Sequence, residues 1–371
     1  CCTVPIDWIV CSSVVSFFLV AYTNSLVQPD VRKHGINVPP RAKSGENSVK
    51  NVPLDYDSSS VSTKQTIRYV TTSDQVRLAW ARSGSGPSLV KASNWITHLE
   101  YDWESPVWQH WVRFLSEHFS LVRSDERGCG LSQRDVENVS YNNWLPDLES
   151  VIDAAKPERP FMLLGLSQGV VPAIQYAVKY PERVSHLILY GGYIRGWALS
   201  SNPDAVREGL ALIEFTELGW GRSDPIYRRL FTRRFLPEGS EEQLRWCDDL
   251  CARAVAPKMA AELIRSRGDA DATGFLDQVN VPTLVLHARG DQVAPLTQGQ
   301  ELAAGIPGAQ FVQLESSNHI LLENEPAWQR FCDAVLEFTG IRPHAESKQL
   351  RSLTHREKEI LAKLVSGMTN A

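Results

Sequence analysis

Past Lys64, short β-branched and apolar runs alternate with longer segments whose apolar residues recur at helical spacing. IRYVTT (67–72) and VRLAWARSG (76–84) flank Ser73-Asp74-Gln75 and predict an opening hairpin. Further strands are predicted at 88–93, 119–124, 161–166, 184–192, 281–289 and 310–315, with helices at 108–118, 142–155, 168–180 and 325–338. FMLLGL (161–166) is apolar throughout, as a strand covered on both faces requires. Strands alternating with helices imply βαβ units and a mostly parallel sheet. Between 194 and 278 the rhythm gives way to helices with charged faces, such as EEQLRWCDDLCARAV (241–255), which reads as an insertion over the sheet.

The rest of the chain patterns differently. Residues 28–64 are rich in Pro, Ser, Asn, Asp and charge without apolar period, and residues 1–65 together read as a flexible lead-in. The apolar stretch 8–22 has 15 residues, fewer than the roughly 20 needed to span a bilayer. Asp7 rather than a basic residue precedes it, so the export signature is incomplete. A buried segment or non-native upstream sequence is favoured, with membrane association or export as the minority alternative. The chain opens on Cys1 rather than Met and stops inside a motif described below, so it reads as a fragment at both ends.

Composition places the folded part among soluble globular domains: 43% hydrophobic, 22% charged and 9% aromatic over 371 residues. The formal charge of −5 offers no global basic field for nucleic acid. Seven cysteines without paired C-x-x-C spacing indicate neither a disulfide framework nor a zinc site, so a reducing cytoplasm is the expected setting and no metal or cofactor is implied. Cys247 and Cys251, four apart, are expected on the core face of one helix.

Candidate chemistry begins at Gly165-Leu166-Ser167-Gln168-Gly169, a G-x-S-x-G between a predicted strand and a predicted helix. A sharp turn that presents a serine hydroxyl needs small residues where backbone comes close, and the Gln168 N–H at the helix start points towards a developing oxyanion. A serine hydroxyl needs a base, and that base needs an orienting acid. Asp291 and His319 each follow a predicted strand, in the order Ser, Asp, His. Separately each has a plainer reading, Asp291 as a turn residue and His319 at a helix start. His287 lies inside a predicted strand and reads as core.

Residues 66–340 resemble the α/β-hydrolase superfamily in strand order, elbow, late acid and late histidine. That resemblance implies an α/β-hydrolase fold with a helical cap at about 194–278. Asp125-Glu126-Arg127-Gly128-Cys129-Gly130-Leu131-Ser132 is similar to the superfamily's D-x-R-G-x-G-x-S loop, which shapes the site wall. Where most members carry His-Gly after the third strand, this chain has Ser93-Asn94, with Trp95 at the second oxyanion donor. A backbone N–H does not depend on its side chain, so Trp95 N–H is expected to serve. Asn94 and Trp103 are candidate pocket residues, while Trp108 and Trp111, at i and i+3, are expected to anchor the first helix in the core.

The last segment has its own pattern. Thr354 and Glu357 form a capping box, Ile360, Leu361, Leu364 and Val365 an apolar stripe, and Gly367 a stop, with Thr369 able to cap a second helix. Leu-Thr-x-Arg-Glu-x-Glu-Ile-Leu followed by Gly-x-Thr-Asn resembles the start of the LuxR-type helix-turn-helix domain, whose DNA-reading helix would follow Ala371. The domain plan is therefore lead-in 1–65, hydrolase domain 66–340, linker 341–351 and the beginning of a helix-turn-helix domain at 352–371.

Two functions are expected from these residues. One is a cytoplasmic serine hydrolase of an ester or related acyl compound, fused to a transcription-regulator module that binds DNA through its complete helix-turn-helix. The other is a sensor domain in which the same pocket binds a small ligand without turnover. The acyl group, the operator and the oligomeric state stay open.

Overall fold

The computed structural model describes residues 65–341. Residues 1–64 of the lead-in, 342–351 of the linker and the 352–371 motif lie outside the described residues.

Eight strands form one sheet: β1 (Thr66–Thr71), β2 (Arg77–Ser83), β3 (Ser88–Lys91), β4 (Ser120–Ser124), β5 (Phe161–Leu166), β6 (Val184–Tyr190), β7 (Thr283–Ala288) and β8 (Gln310–Leu314). Their spatial order is β1-β2-β4-β3-β5-β6-β7-β8. The opening hairpin is antiparallel and β2 meets β4 antiparallel; every pair from β4 to β8 is parallel.

Strand periodicity explains the all-apolar run in β5. Phe161 and Leu163 enter the core on one face of the sheet, and Met162, Leu164 and Leu166 enter the core on the other. One face carries α2 (Trp144–Ala155) and α3 (Val170–Lys179), through Leu148, Val151, Ile152, Val171 and Ile174. The opposite face carries α1 (Gln109–His118) and α9 (Pro326–Thr339). Trp108 and Trp111 are buried there as expected, the Trp111 ring 4.8 Å from Trp328 and 4.7 Å from Phe331.

The segment between β6 and β7 is helical: α4 (Pro203–Gly219), α5 (Ile226–Phe235), α6 (Glu241–Ala254) and α7 (Pro257–Gly268). Ser240 and Gln243 close a reciprocal capping box at the start of α6, and Cys247 and Cys251 are both buried along it. Burial pushes both thiols above their ordinary range.

One helix escapes the sequence pattern: α8 (Leu296–Gly305), LTQGQELAAG. Its Gly299 is required by contact, because a Cβ there would lie 2.4 Å from His287 Nδ1. Packing onto β7 thus demands a residue with poor helix propensity. Among the described residues, no helix is long and apolar enough to cross a membrane.

Candidate active site

Ser167 stands between β5 and α3, at the head of a short 3-10 turn (Ser167–Gly169), with φ of 54°. A non-glycine residue in the left-handed region costs on the order of 1–3 kcal/mol and persists only where its surroundings over-determine it. Here they do. A Cβ on Gly165 would lie 2.8 Å from Gly169 O and from Val170 Cα, and one on Gly169 would lie 2.9 Å from Ser93 O. Both motif glycines are therefore compelled by backbone approach, and the turn they permit is the strained elbow.

Asp291 follows β7. Its Oδ1 accepts from the N–H groups of Val293 (2.8 Å) and Ala294 (3.0 Å), and its Oδ2 accepts from His319 Nδ1 at 2.6 Å. Burial opposes ionisation of this carboxyl. The His319 charge and hydrogen bond, the Ala294 N–H and His287 outweigh it, and they hold Asp291 below the usual carboxylate range. His287 is fully buried, as expected of a core residue, with its Nε2–H donating to Ala294 O at 2.8 Å. It also approaches Asp291 Oδ2 at 3.8 Å, so it sits behind the acid.

His319 follows β8 and is held from three sides. Its N–H donates to Phe235 O (2.9 Å), its carbonyl accepts from Tyr190 Oη (2.9 Å), and its ring meets the Phe235 ring edge-on at 5.2 Å. Gly191, with φ of 57°, passes close by; a Cβ there would come within 3.3 Å of His319 Cε1. Glu325 clamps the same loop, accepting from Ser316 Oγ, Asn318 Nδ2 (3.0 Å) and Leu322 N–H. His319 Nε2 is buried and bonds to no described protein group.

Ser167 lines a cavity of about 640 Å3 together with Trp95, Gln168, Tyr193, Phe231 and Arg267. Its walls come from the sheet loops and from the inserted helices, which places the insertion over Ser167 as a cap. Trp95 is 6% exposed, with its indole packed on Phe231 (5.3 Å) and Trp220 (6.1 Å) of the cap. Its backbone N–H bonds to no other described backbone group.

Two expected pocket residues fall elsewhere. Asn94 is buried and its Oδ1 accepts from Lys91 Nζ, so the side chain turns back towards β3. Trp103 is half-buried in the 3-10 turn Tyr101–Glu104, with the Arg123 guanidinium 5.9 Å above its ring. Neither lines the cavity beside Ser167.

The loop at 125–132 is braced by side-chain contacts on both sides. Asp125 accepts from Thr97 Oγ1 (2.8 Å), Leu99 N–H (3.1 Å) and Leu131 N–H (2.9 Å), while Arg127 bridges Asp147 (2.6 Å) and Asp74 (2.8 Å). Two residues that sequence reasoning did not single out bond to one another next to Gln168, and Arg267 also lines the cavity. Glu126 touches Gln168, and Arg267 touches Glu126. Glu126 lies within the loop that the resemblance placed at the site wall, but Arg267 is one of several arginines in a charged helix and carried no distinguishing signal.

Sheet order, elbow and cap together define an α/β-hydrolase. The chain belongs to the α/β-hydrolase family described as serine aminopeptidase, S33, whose pattern matches residues 108–327. It is similar to the pimeloyl-[acyl-carrier protein] methyl ester esterase of Nitrosomonas europaea, 29% identical over 64% of this chain and 90% of that protein. It is also similar to 3-oxoadipate enol-lactonase 2 of Acinetobacter baylyi, 24% identical over 72% of this chain and 95% of that protein. Among solved structures, an esterase from Exiguobacterium antarcticum superposes with a TM-score of 0.63, at 23% identity, over 74% of this chain and all of its own. That last likeness concerns the fold.

Proposed function

We propose that the domain is a serine hydrolase that cleaves an ester or related acyl compound. The observation that carries this reading is the 2.6 Å bond from His319 Nδ1–H to a buried, ionised Asp291, beside a cavity lined by a serine on a strained turn. Ser167 Oγ attacks the acyl carbon while His319 Nε2 takes its proton. The developing oxyanion meets the N–H groups of Gln168 and Trp95. Collapse expels the leaving group with the proton from His319, and a water activated by the same imidazole releases the acid. Asp291 holds the tautomer and stabilises the imidazolium throughout. The relatives named for methyl ester and enol-lactone hydrolysis support an ester or lactone as substrate.

The test is labelling by a fluorophosphonate and turnover of short-chain nitrophenyl esters, with wild type and Ser167→Ala side by side. Labelling and turnover that vanish in Ser167→Ala are expected. A folded wild-type protein that reacts with neither would sink the enzymatic reading.

A second reading is favoured by the motif at 352–371: a small-ligand sensor in a cytoplasmic LuxR-type regulator, in which the capped cavity binds and a complete helix-turn-helix contacts DNA. Salt-dependent DNA affinity of a chain carrying the whole helix-turn-helix supports it, and none at any salt excludes it.

A further inference from the structure

We propose that Glu126 and Arg267 act as a positioning pair that sets both oxyanion donors, making the cap part of the apparatus that receives the developing charge. This rests on the assignment of Ser167, Gln168 and Trp95 above. Glu126 follows β4 and is 4% exposed. Its two carboxylate oxygens serve different partners: Oε1 accepts from Gln168 Nε2 at 2.8 Å, and Oε2 accepts from Arg267 Nη2 at 2.7 Å. Arg267 arrives from the last turn of α7, where its Nη1 also donates to Leu263 O. Its guanidinium lies over the Trp95 ring, 4.0 Å from the centroid.

One bonded chain thus runs from a cap helix to the residue that carries one oxyanion N–H, and its cationic end lies on the side chain of the residue that carries the other. Charge-assisted bonds in a dry site are short and directional, so they transmit position. Bracing is needed at this point. Ile96, next to Trp95, has φ of 45°, an outlier for a β-branched residue that only tight surroundings sustain. With Arg267 on the Trp95 face and Trp220 and Phe231 around it, the indole is fixed, and so is the adjoining backbone. A small misplacement of an oxyanion donor is costly because the interaction strengthens only in the transition state.

The experiment compares wild type, E126Q, R267M, R267K and E126Q/R267M in the full chain. It reads kcat and KM per active site titrated with fluorophosphonate, and affinity for a trifluoromethyl ketone, whose hemiketal oxyanion occupies the donor site. E126Q and R267M are each expected to lower kcat by about 10- to 100-fold, less than outright loss of a donor, with KM changed less than about threefold. The ketone weakens by the same factor, and the double variant is no worse than the worse single one, because the pair acts as a unit. R267K keeps a charge for Glu126 but no plane for Trp95, so it falls between.

A pair that merely supports folding would lower the titrated fraction and the melting temperature, leaving the rate per site and the ketone affinity at wild-type values. That result overturns the proposal while the serine-hydrolase reading stands. A wild type that reacts with neither probe nor ketone overturns both.

Discussion

The backbone N–H of His319 donates to the carbonyl of Phe235 at 2.9 Å, so the loop carrying the candidate base is fastened to the end of a cap helix. The Asn318 side chain repeats the link by accepting from Glu238 N–H at 3.0 Å. Phe235→Ala keeps the carbonyl but removes the ring that meets the imidazole edge-on. The expected outcome is a kcat lowered about 10-fold through loss of imidazole orientation, with the Asp291 bond intact. Steady-state kinetics with circular dichroism checks it, and an unchanged kcat would show the ring to be idle.

Asp291 binds its proton less tightly in the folded chain than in the unfolded one, so its contribution to stability is complete above about pH 4. That contribution is lost as pH falls below this value, through the depressed folded pKa. Melting temperatures of wild type and Asp291→Asn should therefore separate above about pH 4 and converge as pH falls below it. Activity of Asp291→Asn should drop by about 10²- to 10⁴-fold at neutral pH through loss of the correct tautomer.

The elbow glycines have a steric prediction of their own. Gly169→Ala brings a Cβ to 2.9 Å from Ser93 O, and this oxygen belongs to backbone that has no easy retreat. Destabilisation of about 1–3 kcal/mol is expected, as for other overpacked sites, with activity lost by more than stability alone accounts for. Denaturant unfolding and ester turnover measured together would separate the two.

Asp102 is pushed up to about 7, burial outweighing the Arg123 guanidinium 3.4 Å away and the charge of Lys91. The folded chain then holds this proton more tightly than the unfolded one, so between about pH 4 and 7 stability falls as pH rises. Asp102→Asn removes that term. Its stability relative to wild type should climb across this window and level off above it, as chemical denaturation at stepped pH would report. A difference that stays flat with pH would mean that Asp102 is ionised throughout.

How much of this was legible in the sequence follows from the range of each interaction. The elbow was readable because its determinants are five consecutive residues between an apolar run and a helix. The sheet was readable because burial on both faces erases alternation in β5. The order of Ser167, Asp291 and His319 was readable from strand ends. What escaped depends on partners far along the chain: Glu126 with Arg267, 141 residues apart, and His319 with Phe235. Asn94 and Trp103 do not line the cavity beside Ser167, because local partners hold both side chains. Each lies close in sequence to Trp95 and the loop after β3, but a buried lysine turns one away and the Arg123 guanidinium covers the other.

The position of Trp95 has a consequence for engineering and for divergence among relatives. Its main chain belongs to the loop after β3, whereas its indole is packed into the cap against Trp220, Phe231 and Arg267. A cap grafted from another hydrolase would arrive without the surface that this indole needs, and would leave a large aromatic ring with no seat beside Ser167. Chimaeras that swap residues 194–278 alone should therefore fold and turn over poorly, and grafts that exchange 93–97 along with them should recover. In this domain the loop after β3 and the lid are therefore a matched set, and exchanging the lid alone breaks it.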